Sequence, residues 1–192
     1  MLREQLSPDT RVAYSKAISE RLLLQLEYQQ AGTVLGYMNF GAEFASEIWV
    51  GQVLAEGKRL ILPKVNRYTN RLDLYRVEDL KNQLMPGLWG IREPIAERCE
   101  RMDRLNEVEF ALLPGVAFAR DGARLGYGKG FYDRLLAQMT HRPKLVAAAF
   151  ALQIVEQIPQ EATDIKVEWI ITEQETLTCC GKLQACSVSG SR

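Results

Sequence analysis

Histidine is nearly missing from this sequence: His141 is the single one in 192 residues. A Ser-His-Asp or Cys-His mechanism would have to rest on it. Its setting, THRPK, reads instead as a turn before a strand, so nucleophilic hydrolysis of that kind is not expected. Net charge is also missing, with 24 basic against 24 acidic residues. No global field draws nucleic acid or anionic lipid, and no aromatic-basic strand pattern suggests RNA. No apolar run approaches the roughly 20 residues of a membrane span. The start, MLREQLSPDT, lacks the apolar core of a secretory signal. A cytoplasmic protein with no membrane, nucleic-acid or obligate protein partner is expected. Cysteine is sparse: Cys99, Cys179, Cys180 and Cys186. An adjacent pair and a wide gap do not match zinc spacing, so reduced thiols are expected.

What is present suits one soluble domain, with 47% hydrophobic and 25% charged residues. LSPDT signals a first helix, with Ser7 capping, Pro8 in the first turn and Asp9 at the positive end. Its apolar stripe lasts until AGT near Gly32. TVLGYM (33–38) reads as a buried strand. A helix follows over 45–57, capped by Ser46 and stopped by Gly57, and then KRLILP (58–63) as a strand. That order has the size of a βαβ unit with parallel strands. Further strands are predicted at 72–77, 109–114, 144–150 and 167–172. PGLWGIREP (86–94) reads as a loop, and helices are predicted over 131–139 and at LQIVEQI. The alternation argues for an α/β fold. Residues 1–178 are expected to form one domain and 179–192 a mobile tail.

The densest chemistry lies in RLGYGKGFYDR (124–134). Gly126, Gly128 and Gly130 alternate between a strand and a helix. Glycine admits positive φ and lets a ligand approach backbone N–H groups. A helix start adds free N–H groups, the usual recipe for holding phosphate. Arg124 and Lys129 supply formal charge. The spacing fits neither a Walker loop nor a dinucleotide fingerprint. A tight turn with a solvated basic rim is the competing reading. Asp133 can serve as a dipole partner or, beside phosphate, as a Mg²⁺ ligand.

The run LLPGVAFARDGARLGYGKGFYDRLL resembles the signature of the 5-formyltetrahydrofolate cyclo-ligases, including the uncommon G-x-G-x-G-(Y/F)-Y-D core. A weaker resemblance extends from about Leu6 to about Thr172. It implies a three-layer α/β/α domain with a mostly parallel central sheet. It also implies ATP- and Mg²⁺-dependent closure of 5-formyltetrahydrofolate, with or without a polyglutamate tail, to 5,10-methenyltetrahydrofolate.

By position, the resemblance implies ATP contacts from Arg124, Leu125, Gly126, Tyr127, Gly128, Lys129, Gly130, Phe131 and Tyr132. Arg124, Lys129 and Tyr132 are the implied catalytic residues, and Asp133 and Asp164 the Mg²⁺ carboxylates. Met38, Glu43, Trp89, Tyr127 and Phe131 are implied to contact the folate. Apart from the resemblance, Glu43 and Asp164 would read as solvated loop acids and Trp89 as a core plug. The family's Lys and Arg ahead of the first helix have no counterpart on this reading, and Arg3 is given no ATP role. A folate-binding relative with impaired turnover is therefore the alternative function. A sugar-phosphate enzyme on the same loop is a more distant one.

Overall fold

The computed structural model of the chain describes residues 2–179. Of the 179–192 segment only Cys179 falls within it. That residue is buried rather than loose, its N–H donating to the Glu168 carbonyl at 2.7 Å. Cys180 and Cys186 lie outside the described residues.

Four helices and thirteen strands alternate along the chain among the described residues. The helices are α1 (Pro8–Leu23), α2 (Leu26–Gln30), α3 (Ser46–Ala55) and α4 (Phe131–Leu136). The first strands are β1 (Thr33–Leu35), β2 (Arg59–Asn66), β3 (Arg71–Val77), β4 (Leu84–Pro86), β5 (Arg92–Pro94) and β6 (Glu100–Arg101). They are followed by β7 (Phe110–Leu113), β8 (Ala117–Ala119), β9 (Arg124–Leu125) and β10 (Lys144–Ala148). The last are β11 (Ile154–Val155), β12 (Trp169–Ile171) and β13 (Thr176–Thr178).

Eight strands form one sheet in the order β13-β12-β10-β7-β1-β2-β3-β6. The five from β12 to β2 are parallel, and antiparallel strands close both sides. The two faces of the sheet pack into two separate cores. Val34, Leu60, Phe110 and Leu112 point to the side covered by α1, α2 and α3. Their neighbours Leu35, Ile61, Ala111 and Leu113 point to the side covered by α4. Period-2 alternation thus splits continuous apolar runs between two layers of helices, as a parallel sheet buried on both faces requires. The first core centres on Tyr28, Trp49 and Phe110, whose rings meet at 5.6 to 6.1 Å between centroids.

The βαβ expectation holds, with β1 and β2 parallel around α3. Ser7 caps α1, its Oγ accepting from the Thr10 N–H at 3.1 Å. Other expectations need correction. Ser46 does not cap α3; it is buried and donates to the Tyr37 carbonyl at 2.6 Å, while Ala45 takes the cap position. The first helix breaks at Leu24, where the Gln25 side chain captures the Arg21 carbonyl (2.8 Å) and its N–H turns to the Leu22 carbonyl. LQIVEQI is not a helix. A single 3₁₀ turn at Ala151–Gln153 leads into β11, which pairs with β8. The helix predicted to reach residue 139 stops at Leu136, although Met139 stays buried beneath it. The 86–94 loop is the tip of a β4–β5 ribbon.

Gly122 fixes one of the tight joints. It adopts φ +89, and a Cβ there would lie 2.2 Å from the Val167 carbonyl oxygen. That carbonyl's own residue donates its N–H to the Gly122 carbonyl at 2.9 Å. Gly122→Ala is expected to cost about 2–4 kcal/mol, from a strained backbone and a displaced neighbour. The check is a urea midpoint that falls while the slope stays constant.

Candidate active site

The chain leaves β1 toward β2 on one side, while β7 sits against β1 on the other and continues toward β10. The carboxyl ends of β1 and β7 therefore diverge, which is where open α/β sheets take their ligands. A cavity of about 380 Å³ lies there. Residues after β1 (Met38, Phe40, Glu43), after β7 (Pro114) and in the glycine loop line it. The β4–β5 ribbon closes it with Trp89, Ile91 and Glu93.

The glycine loop is held by a buried ion pair. Arg124, at the start of β9, has a side chain only 5% exposed and meets Asp133 Oδ1 at 2.9 Å. Its other terminal nitrogen donates to the Pro114 carbonyl at 3.3 Å, and the Ile165 N–H donates to the same Asp133 oxygen at 3.2 Å. Gly128 and Gly130 take φ +77 and +59, turning the chain into α4. The N–H groups of residues 126–130 make no hydrogen bond to the rest of the described chain, and Lys129 has no acidic partner there. Arg124 Nε is buried without an acceptor. Buried donors are seldom left unpaired in folded proteins. Unpaired donors, a free ammonium and an open loop backbone converge on one cavity wall, an arrangement suited to an anion.

The opposite feature is a buried acid. Glu43 is 7% exposed and accepts the Phe40 N–H (2.7 Å) and the Tyr127 hydroxyl (2.6 Å). Burial pushes its carboxyl above the usual 4.5, against the opposing pull of those hydrogen bonds and of Arg3. Tyr127 in turn accepts from Arg3 at 2.5 Å, and burial together with Glu43 pushes its phenol up to about 12.

Arg3 corrects the sequence reading. Sequence analysis gave it no role at the site, yet it is 4% exposed, donates to the Gly115 carbonyl at 3.2 Å and holds a loop tyrosine. Its Nε also lacks an acceptor. The only local signal was a lone arginine just ahead of a helix cap, which says nothing about a partner 112 residues away.

Most residues singled out from sequence meet in this cavity: Met38, Glu43, Trp89, Arg124, Gly126, Tyr127, Lys129, Gly130, Phe131, Tyr132 and Asp133. Leu125 and Gly128 do not line it; Leu125 pairs with Ala117 in the β8–β9 hairpin. Asp164 lies in an exposed turn, its Oδ2 accepting the Glu161 N–H at 2.8 Å, one residue from the Ile165 N–H that reaches Asp133. Among the described residues no cluster of three metal-ligating side chains occurs. Trp89 is 56% exposed with φ +58, so it is no core plug. A bulky residue held in that left-handed region costs about 1–3 kcal/mol. The β4–β5 ribbon carries that strain and presents the indole at the cavity mouth. Tyr132 packs on Arg124, 5.9 Å from ring centre to guanidinium, and burial raises its phenol. His141 lies in a turn, its N–H bonded to Asn106, away from the cavity.

Fold and cavity together define a doubly wound α/β enzyme with a donor-rich glycine loop at its switch point. The sequence model of the 5-formyltetrahydrofolate cyclo-ligase family matches residues 1–173, and the chain belongs to that family of ligases. It is 28% identical over 183 residues to a probable 5-formyltetrahydrofolate cyclo-ligase of Caenorhabditis elegans, covering 90% of this chain and 88% of that one. It is 28% identical over 176 residues to the 5-formyltetrahydrofolate cyclo-ligase of Mus musculus, covering 88% and 86%. The solved structure of Aquifex aeolicus 5,10-methenyltetrahydrofolate synthetase superposes with a TM-score of 0.80 at 34% identity, covering 98% of this chain and 93% of that one. No helix among the described residues is long and apolar enough to cross a membrane.

Two outcomes follow from the Glu43 chain. The raised carboxyl means that the folded state holds its proton to higher pH than the unfolded one. Stability linked to that proton is full below about 4.5 and is lost as pH rises through the raised value. Glu43→Gln is therefore expected to melt higher than the wild type at neutral pH, the gap closing as pH falls toward 4.5; equal gaps at all pH would contradict it. Arg3→Ala is expected to lose about 1.5–3 kcal/mol in urea unfolding, the range for buried hydrogen bonds from a charged donor.

Proposed function

We propose that the chain closes 5-formyltetrahydrofolate to 5,10-methenyltetrahydrofolate, with ATP converted to ADP and phosphate. One observation carries this reading beyond family membership. A single cavity joins unpaired cationic and N–H donors on one wall to an aromatic and carboxylate wall on the other. The first suits the phosphates of a nucleotide, the second a flat heterocycle with N–H groups.

The chemistry explains why so few acids and bases suffice. A formamide carbonyl is a weak electrophile, and its oxygen leaves poorly. Transfer of the γ-phosphoryl group to the formyl oxygen corrects both. N10 then attacks the formyl carbon and loses its proton, and the carbon–oxygen bond breaks with departure of phosphate. Phosphoryl transfer of this kind asks for positioning and charge neutralisation.

Lys129 and the N–H groups of the glycine loop would neutralise the phosphates. Arg124 contributes its free Nε while its terminal nitrogens hold Asp133 and Pro114. Tyr132 packs against Arg124 and keeps it oriented. Met38, Trp89, Phe131 and Tyr127 would enclose the folate. Glu43 would face its polar groups once Tyr127 yields its hydrogen bond.

The residues present also suit Mg²⁺. Asp133 has one oxygen engaged by Arg124 and Ile165, and Asp164 one engaged by Glu161, so each keeps an oxygen free. Few carboxylates plus phosphate oxygens is the pattern that Mg²⁺ prefers, and the ion would supply charge neutralisation there. The binding-only alternative rested on missing N-terminal cations. The seat of Arg3 against Tyr127 weakens it, since one such cation does reach the site.

The test is the absorbance of the methenyl product, whose conjugated amidinium the substrate lacks. Product is expected only when ATP and Mg²⁺ are both present. Lys129→Ala is expected to lower kcat about 10²-fold or more, the scale for losing a donor to developing charge. An equal rate without ATP, or no product from the wild type, would overturn the proposal.

A further inference from the structure

Glu93, at the centre of β5, is 8% exposed and lines the cavity. Among the described residues its only hydrogen-bond donor is the Val65 N–H, which reaches Oε1 at 3.4 Å. That is long for an N–H···O bond. Oε2 accepts nothing from the described residues. It lies over Gly87, where a Cβ would come within 2.2 Å of it, so the missing side chain at residue 87 is what makes room for this carboxylate. No ion pair among the described residues includes Glu93. Neighbouring Arg92 is engaged by Glu47 and the Leu80 carbonyl, and Lys64 by the Pro94 carbonyl at 2.7 Å.

Unlike the buried Nε atoms of Arg3 and Arg124, Oε2 of Glu93 opens to the cavity, so a ligand there can supply the donors that the described residues do not. Of the cavity's other acids, Glu43 already has two short protein donors, and Asp133 sits on the glycine-loop wall in its ion pair with Arg124. The open acceptor is therefore Glu93. A carboxylate with free lone pairs suits two adjacent N–H groups on the edge of a ring, which it takes side by side. The cavity that Glu93 lines also includes Pro63, Val65 and Trp89, surfaces that fit the faces of a flat ring rather than a hydrated cation.

We propose that Glu93 is a specificity-determining residue that reads the aminopyrimidinone edge of the folate, accepting from its ring N–H and its amino group. This rests on the folate reading of the cavity. Glu93 acts on ground-state binding: it grips the far end of the heterocycle, away from the formyl group and the phosphates.

The experiment compares equilibrium binding of 5-formyltetrahydrofolate with that of its 2-desamino-2-methyl analogue, by calorimetry and without ATP. The wild type is expected to prefer the amino compound. In Glu93→Gln, whose amide turns a donor toward a donor, the affinity for the amino compound should fall about 10- to 100-fold, the scale of a charged hydrogen bond. The preference over the analogue should vanish. In turnover, KM for the folate should rise with kcat and the KM for ATP unchanged. A purely structural role would weaken both compounds alike and leave the preference in place, and that result overturns the proposal. So does a Glu93→Gln variant that binds as the wild type does. If Glu93→Gln does not fold, Glu93→Asp keeps the charge on a shorter arm and should keep only part of the preference; full retention overturns the proposal. Wild type that binds the folate with the expected preference but forms no product would sink the ligase reading and leave the role of Glu93 standing.

Discussion

The site depends on one buried ion pair. Beneath the loop the guanidinium of Arg124 and the carboxylate of Asp133 balance each other's charge at 2.9 Å. Removing either partner would leave an uncompensated buried charge, a loss of about 3–5 kcal/mol. The pair also fixes geometry. Through Arg124 it ties the start of β9 to the Pro114 carbonyl after β7, and through Asp133 it ties the start of α4 to the Ile165 N–H. The five residues between β9 and α4 are then clamped at both ends, with Gly128 and Gly130 at positive φ and their N–H groups unbonded to the described residues. A flexible stretch becomes a fixed row of donors.

A second chain of polar contacts closes the same cavity from the other direction. Arg3, Tyr127 and Glu43 join the start of the chain, the glycine loop and the segment after β1. The two chains share the loop but not a residue. The loop is consequently held at its ends by Arg124 and Asp133 and at its middle by Tyr127. The middle contact is the more easily exchanged, because a ligand N–H can take the place of the phenol on the buried Glu43 carboxyl one hydrogen bond for another, whereas the ion pair has no such substitute.

The parallel strands were legible because each is a short apolar run between turn signals, and β1, β7, β10 and β12 all fall inside the predicted spans, while β2 begins inside 58–63 and runs on to Asn66. So was the glycine loop as one wall of a site, because alternating glycines with interleaved charge have few uses. What could not be read depends on distant partners. Arg3 is buried by Gly115 and Tyr127, far along the chain. LQIVEQI carries helix-like spacing, but Gln153 spends its side chain on the Phe150 N–H and Ile154 pairs with Phe118, so the turn never propagates. Glu93 looked like any charged residue in a Pro/Gly loop; its burial comes from the ribbon folding back over Val65. Asp164 and Trp89 carried signal only through family resemblance, since an exposed turn acid and a loop tryptophan are locally unremarkable.

The central claim is that the formyl oxygen leaves as part of phosphate. Its most direct test uses 5-formyltetrahydrofolate labelled with ¹⁸O in the formyl group, incubated with the enzyme, ATP and Mg²⁺, and mass analysis of the released phosphate. The account requires one labelled oxygen in each phosphate formed. Unlabelled phosphate, with the label recovered in water, would mean that ATP is hydrolysed apart from the ring closure and would contradict it.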